Sequence, residues 1–273
     1  MNDKFLSWEE AVLWLKKQPT QVELVKACFY DDPLIDAAKR YYASTEWQAI
    51  QKLIPSPPGK ALDIGAGRGI SSYALARDGW DTTALEPDGS QEVGAGAICL
   101  LATESGLKIK VVEEWGEQLP FEDNSFDLVH CRQVLHHAKD LQKLCREIGR
   151  VLKNSGIFIA TREHVISHKE DLAVFLERHP LHKLYGGENA YLLEEYITAI
   201  GQGNIKLTHV FNPLQSDINT FPETLEGWKN RLARKFLLPF PKLIPNALLG
   251  LWGALMNSPG RLYTFVGKKS NYV

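Results

Sequence analysis

From Lys60 onward the chain alternates short apolar runs with longer segments of helical periodicity, and few folds accommodate that alternation. Residues 61–64, 82–85, 109–112, 126–131 and 157–160 read as strands. Between them, 70–77, 90–105 and 141–152 read as helices, the last with Leu141, Leu144, Ile148, Val151 and Leu152 on one face. Strands joined by helices at this spacing pair in parallel through right-handed crossovers, because a right-twisted strand feeding a right-handed helix packs back onto its sheet only that way. Two later strand-like runs, 205–211 and 262–266, bring the expected total to a seven-strand, doubly wound α/β sheet.

The segment before the sheet has a different character. Residues 1–58 read as helical and are expected to form a lid. Ser7 with Glu10, and Thr20 with Glu23, fit the box in which a cap side chain and a glutamate satisfy each other's orphan backbone donors, and Asp32-Pro33 is a further start signal. Trp8, Val12 and Leu15 share one helical face. Pro55-Ser56-Pro57-Pro58-Gly59 then breaks any helix and opens the unit 59–273. Inside that unit 171–178 and 192–200 look helical, and a Pro- and Leu-rich insertion, 212–260, precedes the last strand.

With 44% hydrophobic and 10% aromatic residues in 273, the chain can bury a full core. A net charge of -2 gives no overall attraction to nucleic acid, so no such partner is expected, and any anionic surface must be met by a local patch. Cys28, Cys99, Cys131 and Cys145 show no paired spacing, which fits a reducing, cytoplasmic setting. Charges at Asp3, Lys4, Glu9 and Glu10 leave no stretch resembling a signal peptide. The longest apolar run, 247–256, is about half of the ~20 residues that a membrane span requires.

In an open α/β sheet, ligands sit beyond the carboxyl ends of the strands at the switch point beside the first one. Asp63-Ile64-Gly65-Ala66-Gly67-Arg68-Gly69 falls there, with Ile70 opening a helix. Its glycines permit a tight turn and close backbone approach to a ligand. Glu86 ends the second strand, where a carboxylate can accept both hydroxyls of a ribose; the bland alternative for Glu86-Pro87-Asp88-Gly89 is a solvated turn. The spacing Gly-x-Gly-x-Gly after Asp63 differs from the G-x-G-x-x-G made for a pyrophosphate. It suits a donor without phosphate, such as S-adenosylmethionine, whose ammonium and sulfonium favour a nearby carboxylate while backbone amides hold its own carboxylate.

Leu62 to Gly69, Glu86-Pro87-Asp88, Leu119-Pro120-Phe121, Phe126-Asp127-Leu128-Val129, Val134-Leu135-His136-His137 and Arg150-Val151-Leu152-Lys153 together resemble class I S-adenosylmethionine-dependent methyltransferases, nearest their small-molecule branch. The resemblance implies a Rossmann-like fold, with Asp63, Gly65 and Gly67 lining an aminoacyl pocket and Glu86 holding the ribose. Many members place an Asp after the third strand to bind adenine; this chain has Trp115 within Glu113-Glu114-Trp115-Gly116-Glu117. Trp115 is expected either to stack on the adenine or to seal the core, and Glu114 or Glu117 to accept from the adenine amino group. Cys131 and Arg132, ending the fourth strand, are expected beneath the donor. The donor-binding set is thus Asp63, Gly65, Ala66, Gly67, Glu86, Pro87, Trp115, Gly116, Glu117, Cys131 and Arg132. His136-His137 reads as capping and packing.

Arg162-Glu163-His164 follows the fifth strand at the same sheet edge, so His164 or Glu163 is the expected general base toward a small-molecule acceptor. Residues 179–191 suit an acceptor loop. His164, His168, His179, His182 and Glu188 carry metal-ligand chemistry, but only His164 and His168 are spaced i, i+4, and Ser167 reads as a helix cap between them; no metal is expected. In the insertion, Leu225, Trp228, Leu232 and Phe236 recur at helical spacing beside Lys229, Arg231, Arg234, Lys235 and Lys242. That stripe reads as a helix docked on its own domain or, alternatively, as a peripheral membrane contact over 225–244 with Leu237, Leu238, Phe240, Leu243 and Ile244 as apolar anchors. The rival functions are a nicotinamide-dependent oxidoreductase and a non-catalytic module that binds the methyl donor.

Overall fold

The computed structural model describes residues 5–237 and 239–270, so Leu238 lies outside the described residues. The strands are β1 (Lys60–Ile64), β2 (Asp81–Leu85), β3 (Ile109–Val112), β4 (Phe126–Arg132), β5 (Leu152–Ile166), β6 (Tyr191–Leu192), β7 (Ile205–Phe211) and β8 (Arg261–Lys269). They form one sheet in the order β3-β2-β1-β4-β5-β8-β7, with β6 paired to the end of β5. Strands β1 to β5 run parallel, whereas β8 is antiparallel to both β5 and β7. The order reverses between β1 and β4, and the crevice that opens there is where such sheets bind ligands. The expected doubly wound α/β fold is therefore present, with a short β6 in addition to the seven anticipated strands.

Ahead of the sheet come α1 (Trp8–Lys16), α2 (Val22–Ala27), α3 (Leu34–Tyr42) and α4 (Thr45–Gln51). Interleaved with the strands are α5 (Ile70–Asp78), α6 (Ala95–Ser105), α7 (Leu141–Val151), α8 (Asp171–Arg178), α9 (His182–Tyr185) and α10 (Leu193–Gln202); α11 (Asp217–Thr220), α12 (Leu225–Lys235) and α13 (Asn246–Leu255) lie between β7 and β8. The Ser7 and Glu10 capping box forms as read. Thr20 instead falls in a 3-10 turn, so α2 starts without a side-chain cap. Helix α6 begins later than its periodicity suggests. The Asp88 carboxylate accepts the Ser90 amide at 2.8 Å and the Asp88 carbonyl accepts the Ala95 amide at 2.6 Å, folding the intervening residues into a tight loop.

Successive side chains of a strand point to opposite faces, and here each face finds a helical cover. Leu62, Val129, Phe158 and Phe265 face α7 and α10, in a core with Leu144, Ile148 and Tyr196. Ala61, Leu128, Ile159 and Val266 face the other way, against Ala37, Tyr41, Trp47, Ile50 and Leu75 from α3, α4 and α5. Residues of α3 and α4 thus help to bury the sheet itself. Farther out, Ala11, Leu15 and Val25 of α1 and α2 pack with Leu181 near α9.

Strand β5 runs well beyond 157–160 and carries a bulge. Its register with β8 shifts between Ala160 and Glu163, so that Thr161 and Arg162 together oppose Thr264, and Arg162 takes φ 61°. A bulge re-aims the side chains that follow it. This one sends Glu163 into the core and His164 toward the cavity.

The insertion builds a small core of its own from Leu214, Leu232, Ala233, Ile244 and Leu249, with Leu225, Trp228 and Met256 packed against it. Ile244, read as an outward anchor, is therefore buried, while Phe236, Leu237, Phe240 and Leu243 are exposed.

One buried ion pair ties the N-terminal segment to the sheet. Arg132 Nε and Nη2 donate to the two carboxylate oxygens of Glu46 at 2.7 and 3.1 Å, and Arg162 Nη1 lies 3.9 Å from the same group. Burial by itself would lower the Arg132 guanidinium, but the Glu46 charge more than offsets it and the net shift is upward. Replacing Glu46 by Ala leaves two guanidiniums buried without their carboxylate, and we expect a loss of about 3 to 5 kcal/mol in urea unfolding. Lys153→Ala, which breaks a solvent-exposed pair with Asp127, is expected to cost less than about 1 kcal/mol. Equal losses in the two variants would show that the Glu46 network does not anchor the segment.

Candidate functional site

Beyond the carboxyl end of β1 the backbone turns through three positive-φ glycines, Gly65 at 61°, Gly67 at 53° and Gly69 at 82°, before α5 begins. A Cβ on Gly65 would lie 2.7 Å from Val134 Cγ2, so here the chain is both left-handed and pressed against its neighbour. A Cβ on Gly67 would meet nothing nearer than the Val93 carbonyl at 3.8 Å, which leaves the backbone open to the cavity. The turn is braced from two sides. Asp63, almost fully buried, faces His130 Nδ1 at 2.8 Å through one oxygen and accepts from Ser72 Oγ at 2.6 Å through the other, linking β1 to β4 and α5. Glu86 accepts the Gly67 amide at 2.7 Å and the Asp88 amide at 3.0 Å. Burial outweighs these two bonds and raises its carboxyl.

Arg68, which the sequence reading passed over, joins this turn to the N-terminal segment. Its guanidinium donates to the Phe29 and Asp31 carbonyls, both at 3.0 Å, and to Asp32 at 2.6 Å. Phe29 and Tyr30 are thereby held over the crevice, with Trp8 packed edge-on against Tyr30 beside them.

A single cavity of about 590 Å³ results. At one end it is lined by Asp63, Gly65, Ala66, Gly67, Glu86, Pro87, Trp115, Gly116, Glu117 and Arg132. Trp115 stands at the rim, 57% exposed, with Lys139 Nζ 4.8 Å above its ring, so the indole does not seal the core. Glu117 accepts the Lys139 amide at 2.9 Å. Cys131, expected beneath the donor, is instead enclosed in the apolar core, because its side chain alternates to the α7 face while Arg132 turns to the opposite one. The Arg132 guanidinium reaches the cavity wall but is held by Glu46.

The other end is lined by His136, His137, His164, His179, Tyr185 and Glu188. Glu163 belongs to its support. Fully buried, the Glu163 carboxylate accepts the amides of Val134 and Leu135 on one oxygen, at 3.0 and 3.1 Å, and that of His136 on the other at 3.1 Å. His136 Nδ1 adds a fourth contact at 2.7 Å. A carboxylate so engaged has no lone pair directed at an acceptor, so the geometry removes Glu163 as a free base. His164 does line the cavity, with Nδ1 donating to the Gly260 carbonyl at 2.8 Å. Burial, and then the neighbouring His136, push its imidazole down to about 3, too weak a base to draw a proton from a neutral hydroxyl. Burial likewise holds His136 well below the ordinary imidazole value. Glu188 accepts from the Tyr185 hydroxyl at 2.7 Å. Burial alone would raise the Glu188 carboxyl, but His137, His179 and His136 around it bring it below the ordinary range. His168 stays outside this group; its amide, with that of Ser167, is bonded to Asp171 at the start of α8.

The sheet order and the glycine turn at the β1 switch point define a Rossmann-like fold whose cavity opens at that switch point, beside the acidic end of β2. Residues 62–160 match a family model described as a methyltransferase domain. An uncharacterized methyltransferase of Bacillus subtilis is 38% identical over 101 residues, 37% of this chain and 39% of the relative. A glycine/sarcosine/dimethylglycine N-methyltransferase of Actinopolyspora halophila is 31% identical over 183 residues, 65% of this chain and 31% of the relative. The chain thus spans about a third of the length of these curated relatives. In three dimensions it is similar to the crystal structure of a putative sarcosine dimethylglycine methyltransferase from Galdieria sulphuraria, with a TM-score of 0.58, 22% identity, and 90% of this chain and 91% of the other covered. Residues 62–160 are thus similar to a methyltransferase domain, in line with the resemblance to class I S-adenosylmethionine-dependent methyltransferases. That family's cofactor is S-adenosyl-L-methionine rather than a nicotinamide.

The glycine turn makes a separable prediction. Gly65→Ala should lose about 1 to 2 kcal/mol from the left-handed backbone alone, plus the steric cost of meeting Val134. Adding Val134→Ala is expected to recover the steric part and leave the backbone part, as read by urea unfolding of the two single variants and the double. A double variant no more stable than the Gly65→Ala plus Val134→Ala sum would mean that the two residues do not press on each other.

Proposed function

We propose that this chain transfers the methyl group of S-adenosylmethionine to a small-molecule acceptor held at the histidine-rich end of the same cavity. The observation that carries the reading is the continuity of that cavity, which runs from the glycine turn and Glu86 to His136, His164 and Glu188 and so accommodates donor and acceptor in contact. In this reading the donor's aminoacyl end lies against the turn Gly65-Ala66-Gly67, Asp63 balances its ammonium and Glu86 accepts the ribose hydroxyls. Pro87, Trp115, Gly116 and Glu117 border the adenine. The sulfonium is already a good leaving group, so alignment of donor and acceptor supplies much of the rate and no general base is assigned. Of the expected lid 1–58, the part that covers the cavity is the stretch carrying Trp8, Phe29 and Tyr30, while α3 and α4 pack on the sheet. The free cysteines Cys28, Cys99, Cys131 and Cys145 fit a cytoplasmic setting, and no nucleic acid is a partner.

A second element of the reading concerns the insertion. No helix among the described residues is long and apolar enough to cross a membrane. Yet Phe236, Leu237, Phe240 and Leu243 point outward beside Arg231, Arg234, Lys235 and Lys242, a pairing of apolar anchors and positive charge that suits a peripheral contact with an anionic lipid surface.

Two experiments test these assignments. Glu86→Ala removes the acceptors for two ribose hydroxyls, and each unpaired polar group costs about 1 to 3 kcal/mol. Calorimetry with S-adenosylhomocysteine should show at least a roughly tenfold loss of affinity with the fold retained, and unchanged affinity would overturn the role of Glu86. Turnover is read by following labelled methyl from donor into extract fractions; tight donor binding with no transfer into any fraction would favour a binding module instead. For the insertion, sedimentation with anionic vesicles should capture the protein, neutral vesicles should not, and Arg231→Glu with Arg234→Glu should weaken capture about tenfold or more, at about 1 kcal/mol per charge. Equal behaviour toward both vesicle types would leave the patch without a lipid role.

A further inference from the structure

His136, His164 and Glu188 come from distant parts of the chain: the turn after β4, the bulged end of β5 and the loop after α9. One ligand-capable atom of each lies within 4.8 Å of the others. We infer that these three side chains bind a divalent first-row transition metal ion at the acceptor end of the cavity.

The histidines around Glu188 approach its carboxylate without bonding to it. His136 Nε2 lies 3.7 Å from Glu188 Oε2, His179 Nδ1 lies 3.7 Å from Glu188 Oε1, and His137 Nε2 lies 4.0 Å from Glu188 Oε2. Each separation is too long for a hydrogen bond, whose N to O distance runs about 2.7 to 3.2 Å. Donor atoms at about 2.0 to 2.2 Å from a tetrahedral ion sit roughly 3.3 to 3.6 Å from one another; the His136–Glu188 pair at 3.7 Å stands near that spacing, and His164, within 4.8 Å, needs a small inward shift to join them. His179 Nδ1 is in addition buried with no hydrogen-bond partner, which makes it the nearest further ligand.

Each of the three ligands is also oriented from behind. The Glu163 carboxylate holds His136 Nδ1 at 2.7 Å, the Gly260 carbonyl holds His164 Nδ1 at 2.8 Å, and the Tyr185 hydroxyl holds Glu188 Oε1 at 2.7 Å. With the proton of each imidazole fixed on Nδ1, the Nε2 lone pair is the one left for the cavity. Backing of this kind is how protein metal sites set the tautomer and direction of their ligands. A polar cluster made only for packing would close hydrogen bonds among its members. Here the His136 Nε2 lone pair faces an acidic side chain across 3.7 Å, an arrangement that a cation between them resolves. Two imidazoles and one carboxylate suit Zn²⁺ or Fe²⁺ and leave a coordination position open toward the donor end. An acceptor oxygen or nitrogen bound there would be polarised and fixed in line with the incoming methyl group.

The inference goes beyond the methyl-transfer reading and its test does not depend on it. The full chain, stripped with a chelator, is titrated with Zn²⁺ by calorimetry, and Co²⁺ is added separately to read visible absorption bands. We expect one ion per chain with micromolar or tighter affinity, and Co²⁺ bands of a four- or five-coordinate site. His164→Ala and Glu188→Ala should each weaken Zn²⁺ binding by roughly a hundredfold or more and abolish those bands. Tyr185→Phe, which alters only the backing of Glu188, should weaken it about tenfold. Circular dichroism and S-adenosylhomocysteine binding of the same variants report the fold and the donor site independently. A stoichiometry well below one, or binding that survives His164→Ala combined with Glu188→Ala in folded protein, would overturn the site.

Discussion

The carboxylate of Glu163 gathers three consecutive backbone amides and one imidazole inside the sheet, and the histidine-lined end of the cavity depends on that gathering. The chain leaving β4 must turn sharply toward α7, and the amides of Val134, Leu135 and His136 have no strand or helix partner in that turn. A buried ionised group is costly unless hydrogen-bonded, and buried amides are costly unless accepted. Each need answers the other here. The same carboxylate then fixes the ring of His136, so that one interaction shapes the backbone and aims a side chain.

Its position follows from the bulge in β5. Without the extra residue at Thr161 and Arg162, strict alternation would set the orientation of Glu163 and His164 by the pleat alone. With it, Glu163 enters the interior and His164 reaches the cavity beside His136, with ring centroids 4.7 Å apart. Arg162 accepts a left-handed backbone there and is held by the carbonyls of Ile218 and Phe221 at 2.8 and 3.0 Å, so the insertion helps to brace the bulge.

The glycine-turn end of the cavity rests on a different physical basis. Its turn is braced mainly within the first two strand–helix units, by bonds of Asp63 to Ser72 and of Glu86 to Gly67 and Asp88, with His130 of β4 as a remote partner of Asp63. The N-terminal segment is then attached from above through Arg68 and through the buried pair of Glu46 with Arg132. Roof, turn and sheet are linked by charge-assisted bonds that water does not reach freely, which is where such bonds are strongest.

What could be read from residue order was whatever depends on local periodicity and contiguous motifs. The alternation of strands and helices, the glycine turn after β1 and the acid at the end of β2 all have that character, because backbone conformation and the first βα turn are decided over a few residues. Cys131 and Trp115 show the limit of that reading: facing and exposure depend on which neighbours pack against a strand end or loop, and those neighbours are remote in sequence. Arg68 and Glu46 carried no signal of their own, since a charged residue is ordinarily a surface one until a partner encloses it. The histidine cluster is the clearest case. His136 read as packing and His164 as a base, and Glu188 had no helical partner at ligand spacing. A one-residue bulge, a turn pinned by Glu163 and the loop after α9 brought them within 4.8 Å, an arrangement that only the closed chain determines.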